Sequence, residues 1–218
     1  YPSLIIVMLA SIGVLTLLDP IRLANTQSEV ASVMLGYNNF WQIRMNADYF
    51  AQLSKNSPFT HLWYIAILLQ FDLVFPFLLK GYTVMKKRSG FWTAAGIGLL
   101  AVLLTAVIMP VMYLLGNGEN ITTLYYSTFT RISPLLAGMV LALVHHERIR
   151  ILNHHLKRPI FSLGEIAVWT GIFVWLYFRV NGSDGGVYLY WMNVCTLISA
   201  RMIEVVKTGR TTGKILDN

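Results

Sequence analysis

The chain is predicted to be all-α, a polytopic bundle of about six transmembrane helices, and three observations predict it. Of its 218 residues, 56% are hydrophobic and only 12% are charged, with a mean hydropathy of +0.57. A soluble domain carries roughly a quarter charged residues. The apolar residues fall in runs of about 20, the length that crosses a hydrocarbon core of roughly 30 Å. The basic residues gather in alternate loops, as the positive-inside rule requires of a multi-pass protein.

Six spans follow in order, over residues 1–18, 61–79, 91–115, 124–144, 160–178 and 186–206. The first is apolar from its first residue and has neither a basic n-region nor a small-residue cleavage site, so it is no signal peptide. The second opens on His61 and carries Gln70 and Asp72 deep inside. The third holds no charged residue. The fourth carries Arg131, and three residues later Pro134, which removes the amide that would bond the Thr130 carbonyl. The fifth begins Ser162-Leu163-Gly164-Glu165, the spacing of a capping box. The sixth contains the single Cys195, which allows no disulfide framework and reads as a packing residue. Near its end, Arg201 and Glu204 can snorkel or pair. The sequence shows no internal repeat and no low-complexity segment.

The net charge of +7 is a topology signal. Eleven basic residues follow the second, fourth and sixth spans, and four lie in the alternate loops. Residue 1, the 80–90 and 145–158 loops and the C-terminus are therefore expected in the cytoplasm, with some attraction to anionic membrane lipid. Nucleic acid is excluded as a partner. His145, His146, His154 and His155 flank a basic loop without an acidic or thiol partner at ligand spacing, so no metal site is read there. The extracytoplasmic loop, residues 19–60, is the long one. Within it Trp41, Met45, Tyr49 and Leu53 recur every four residues among polar ones, an amphipathic stretch able to lie in the outer interface. It would serve as an anchor, or as a lid or acceptor-binding ledge over the bundle.

Ionisable groups at the centre of a span usually face the bundle interior and mark functional sites. Asp72 is about 16 Å from the outer end of its span and Arg131 about 10 Å, at 1.5 Å per residue. On a helix of 3.6 residues per turn, His61, Leu68 and Asp72 share one face, while Trp63 and Gln70 share the opposite one. The similar depths of Asp72 and Arg131 suggest an ion pair, either functional or a tie between two helices.

The stretch Thr60-His61-Leu62-Trp63 through Gln70-Phe71 to Phe75-Pro76 resembles the signature of the bacterial membrane acyltransferase-3 family. That signature reads His-x-Trp, a short apolar run, two glutamates, Gln-Phe-Tyr and a nearby Trp-Pro. Tyr125, Thr130-Arg131, Leu135-Leu136, Gly138 and Leu141-Ala142 resemble its Thr-Arg-containing helix. Asn39-Phe40-Trp41-Gln42-Ile43 and Ser57-Pro58-Phe59-Thr60 resemble the peptidoglycan O-acetyltransferase branch. The resemblance covers residues 1–143 well and the rest loosely. It implies an integral membrane O-acyltransferase that moves an acyl group, usually acetyl, from cytoplasmic acyl-CoA to a hydroxyl of a cell-envelope glycan. No bound cofactor is implied; acetyl-CoA is a substrate. Arg131 and His61 then become catalytic candidates: Arg131 to stabilise an oxyanion or a CoA phosphate, His61 as a base or a helix-end hydrogen-bonding group. Trp63, Gln70, Asp72 and Tyr125 become candidates for substrate binding.

The departures are specific. Leu68 and Leu69 replace the glutamate pair, and Asp72 stands where the family has tyrosine, so the acidic function is expected to have moved one turn along the same face. The family's catalytic histidine belongs to an opening helix with Arg and His about ten residues apart, which this sequence lacks. The chain is therefore read as an internal fragment, without opening and closing helices and inactive alone. Two other classes stay open, a non-catalytic membrane partner and a secondary transporter.

Overall fold

The computed structural model describes residues 2–18, 20–23, 26–45, 59–119, 121–146, 159–181 and 184–208. Among these every regular element is helical: α1 (Pro2–Leu18), α2 (Gln27–Met34), α3 (Asn38–Arg44), α4 (Trp63–Ser89), α5 (Phe91–Leu115), α6 (Ile121–Tyr126), α7 (Thr128–His146), α8 (Pro159–Arg179) and α9 (Met192–Thr208). Short 3₁₀ turns cover Pro20–Leu23 and Thr60–Leu62, and a π-turn, Val187–Trp191, leads into α9. Five helical stretches are long and apolar enough to span a membrane: Thr60–Ser89, Phe91–Leu115, Ile121–His146, Phe161–Arg179 and Val187–Lys207. The sixth expected span is α1, which is apolar and 17 residues long. Helices are the answer because a lipid-exposed backbone has no water to bond and must satisfy itself within the segment.

A single residue joins α4 to α5. Gly90 has φ +85°, a conformation that favours glycine, and its amide closes α4 on the Lys86 carbonyl at 2.9 Å. At the far end of α5 the chain turns through Gly116, Asn117 and Gly118, with the Gly118 amide on the Tyr113 carbonyl at 3.1 Å. α5 packs most extensively on α7, with α4 on its other flank, while α9 contacts α7 and α8. Side chains such as Leu73, Phe77, Trp92, Tyr177 and Leu197 point outward, which suits a surface facing hydrocarbon rather than water. The two ends of α5 make orientation testable. In a Cys195→Ser background, a cysteine at Asn117 is expected to react with an impermeant thiol reagent outside intact cells, and one at Ser89 is not; the reverse pattern would invert the topology.

The described part of the outer loop divides its faces. α2 and α3 pack against the bundle with Glu29, Ser32, Asn38, Asn39 and Gln42 buried, and Leu35, Phe40 and Met45 exposed. The polar groups pair in part with one another: Gln42 Nε2 donates to Glu29 Oε1 at 3.0 Å and Ser32 Oγ to Asn38 Oδ1 at 3.2 Å, while Asn38 Nδ2 and Gln42 Oε1 are buried without a partner. Tyr49 and Leu53 lie outside the described residues.

Glu165 and Glu204 also find interhelical work. Arg201 Nε and Nη2 donate to Glu165 Oε1 and Oε2 at 2.6 and 3.1 Å, a forked tie between α8 and α9. Glu204 lies 3.4 Å from His145 Nδ1, joining α9 to the end of α7.

Candidate functional site

The site is built where α6 breaks into α7. Ser127 interrupts the two helices, and its hydroxyl accepts the Phe129 amide at 3.3 Å, as a residue preceding a helix does. Thr130 Oγ1 donates back to the Leu124 and Ser127 carbonyls at 2.7 and 2.9 Å. This break places the Tyr125 carbonyl beside Arg131, whose Nε donates to it at 2.9 Å.

Arg131 is held on several sides. Its Nη1 donates to the Met192 sulfur at 3.1 Å. Its guanidinium carbon lies 4.7 Å from the Tyr125 ring centroid and 5.6 Å from that of Trp63, within cation–π range. Trp63 packs in turn on Tyr125 and Tyr126, with centroids 5.1 and 5.3 Å away. The remaining nitrogen, Nη2, is buried and has no hydrogen-bond partner. A buried donor left unpaired costs about 1–3 kcal/mol, more when charged, and sulfur is a weak acceptor for a second. The guanidinium is thus oriented but under-satisfied.

A second group lies on the same inward face of α4. Gln70 Nε2 donates to the Gly36 carbonyl at 3.0 Å and to Asn39 Oδ1 at 2.9 Å, and its Oε1 accepts from Thr128 Oγ1 at 2.6 Å. Asn39 Nδ2 closes the ring, donating to Thr128 Oγ1 at 2.9 Å and the Tyr126 carbonyl at 3.2 Å. Gln70 thus fastens α3, α4 and the start of α7 together.

Of the residues singled out in the sequence, the structure brings Arg131, Trp63 and Tyr125 into contact, and Gln70 joins them through Thr128 and Tyr126. Asp72 does not join them. His61 is exposed in the 3₁₀ turn before α4, and Asp72 is exposed on the opposite face from Gln70. The expected Asp72–Arg131 ion pair is absent. The helical periodicity is right, but the face carrying His61, Leu68 and Asp72 turns away from α7, because Trp63 and Gln70 take the inward side. The losses in thermal stability of Asp72→Asn and Arg131→Gln are accordingly expected to add within about 0.5 kcal/mol. A larger interaction in the double mutant would restore the pair.

Asn39, Thr128 and Met192 carry no role in the sequence reading. Asn39 and Thr128 lie inside or beside the motif patches and could have been found as polar residues in apolar surroundings. Met192 gives no such signal. It follows a π-turn, a deviation frequent at functional sites, and reaches Arg131 across 61 positions of sequence.

The sequence profile of the acyltransferase-3 family, described as an acyltransferase domain, matches residues 1–204. YrhL of Bacillus subtilis (strain 168), provisionally named a peptidoglycan O-acetyltransferase, is 35% identical over 144 residues, 66% of this chain and 22% of its own. The peptidoglycan O-acetyltransferase OatA of Listeria monocytogenes (strain EGD-e) is 31% identical over the same shares. SACOL0978 of Staphylococcus aureus (strain COL), provisionally named an O-acetyltransferase, is 28% identical over 98% of this chain and 35% of its own. The chain thus spans between 22% and 35% of the length of these relatives. No solved structure matches it. The match over nearly the whole chain, together with the apolar helices, shows that this is a multi-pass membrane protein belonging to the acyltransferase-3 family.

Proposed function

We propose that the chain is part of an integral membrane O-acyltransferase, which passes an acyl group, acetyl above all, from cytoplasmic acyl-CoA to a hydroxyl of a cell-envelope glycan, peptidoglycan in the first place. The observation that carries this reading is the buried, unpartnered Nη2 of Arg131 in its aromatic cage. In acyl transfer the acceptor hydroxyl oxygen bonds to the carbonyl carbon, the carbonyl oxygen gathers negative charge, the C–S bond breaks and the hydroxyl proton leaves to a base. A fixed cationic donor aimed at that oxygen lowers the barrier, because it needs no reorganisation when the charge appears.

Position agrees with this role. Arg131 closes the first turn of α7, where the positive end of the helix already favours anions, so the local field strengthens its pull on an oxyanion. By the basic asymmetry of the loops this end of α7 faces outward, toward an acceptor glycan rather than toward CoA phosphates. Oxyanion stabilisation is therefore the favoured role of the two. Tyr125 and Trp63 orient the guanidinium, Gln70 fixes the helices that carry it, and His61 acts at the start of α4. None of the groups bonded to Arg131 is a base, so the proton acceptor is a separate group.

The test is acetylation by the full-length protein. Cells lacking their own activity and expressing it should yield purified peptidoglycan that releases acetate in mild alkali. Well-expressed protein that leaves the glycan unmodified would refute the reading.

A further inference from the structure

At the opposite, basic end of the bundle lies a cavity of about 190 Å³ between α4, α5 and α7. Its wall is apolar and includes Met85 of α4, Ala95, Gly98 and Ala101 of α5, and Met139 and Val140 of α7. The small residues of α5 create the space. It cannot close by the helices moving together, because α5 and α7 already touch at Gly98, where an added Cβ would lie 3.0 Å from Val140 Cγ2. An unfilled apolar cavity is costly, and one this dry offers nothing to water. A hydrocarbon chain fits its chemistry.

The rim supplies the other half of a ligand. Met85 is followed by Lys86, Lys87 and Arg88 in the last turn of α4; Arg88 is exposed and lies almost one turn beyond Met85 on the same side of the helix, Lys87 is exposed on the far side, and the first turn of α5 holds no acidic residue. An occupant with its tail beside Met85 would have an anionic head at Arg88. We propose that this cavity binds one acyl chain of an anionic phospholipid of the cytoplasmic leaflet, with its headgroup on Arg88. The acyl donor is a different molecule at a different place. The α7 lining runs from Leu136 to Val144, five to thirteen residues beyond Arg131 and about 8–20 Å further along the helix, so a group beside Met85 and Met139 is held away from the guanidinium.

Photocrosslinking of the full-length protein tests this. It would be reconstituted in phosphatidylcholine vesicles doped with phosphatidylglycerol or phosphatidylcholine probes that carry the same diazirine-tipped acyl chain. The phosphatidylglycerol probe is expected to mark peptides containing Met85, Met139 or Val140 about fivefold more, the preference one surface cation can give. Arg88→Gln, at an exposed position, should erase most of that preference without changing Tm, Lys87→Gln on the far side should leave it, and Ala101→Phe should remove the labelling. Equal labelling by both probes would make the cavity ordinary bulk-lipid contact. Labelling by a diazirine acyl-CoA of the same chain length that matches and displaces phosphatidylglycerol would assign it to the thioester. Either result, or labelling elsewhere only, overturns the proposal.

Discussion

In the full-length protein, Arg131→Lys is expected to lower glycan acetylation by about 100-fold or more, the usual loss when an oxyanion donor is removed, although the positive charge survives. The reason is geometric. Arg131 uses one nitrogen on the Tyr125 carbonyl and another on the Met192 sulfur, and the third is left over at a fixed angle. A lysine ammonium is a point charge on a flexible stem and cannot reproduce a planar fork. It would also lose the stacking on Tyr125 and Trp63. The measurement is alkali-released acetate per unit of expressed protein, with thermal stability in detergent as the control for folding. Near-wild-type acetylation by the lysine variant would leave Arg131 as a tie between α6, α7 and α9.

The second large effect is on stability. Gln70→Leu removes three hydrogen bonds at once and leaves the Gly36 carbonyl and the Asn39 and Thr128 side chains short of partners. At about 1–3 kcal/mol for each buried group left unpaired, the protein should lose several kcal/mol or fail to accumulate. Gln70→Glu should fare badly as well, since a carboxylate cannot donate to Gly36 or Asn39. Asp72→Asn, two residues along on the exposed face, should barely shift Tm. An unchanged Tm for Gln70→Leu, read by thermal unfolding of detergent-extracted protein, would show that the cluster does not hold the helices.

These contrasts mark what the sequence could and could not reveal. Spans were legible because hydrophobic length is a local property, and each long helix coincides with a run visible in one dimension. The division of α4 into two faces was legible too, since it follows from 3.6 residues per turn alone. Which face turned inward was not, because Asp72 and Gln70 are both polar residues in apolar surroundings and only their partners tell them apart. The same limit hid the inward face of α3. Its exposed Phe40 and buried Asn39 and Gln42 make sense only once Glu29, Gln70 and Thr128 are in place around them. Arg131 stood out because a lone guanidinium inside a span has few explanations, and Tyr125 because it shares the same motif patch. Its contact with Met192 depends on how α9 packs, which no local pattern encodes.

The one-residue joint at Gly90 bears on how the protein enters its membrane. α4 is apolar enough to span, but Asp72 at mid-span costs it about 2.5–3.5 kcal/mol on translocon scales. α5 carries no charged residue between Phe91 and Leu115 and inserts readily. With no slack at Gly90, entry as one hairpin is favoured, the apolar α5 offsetting the carboxylate of α4 and Lys86, Lys87 and Arg88 pinning the near side. Lengthening that joint with a flexible spacer would uncouple the partners. It would then expose α4 to the slower, error-prone route in which a helix bearing a carboxylate waits at the channel wall for a neighbour.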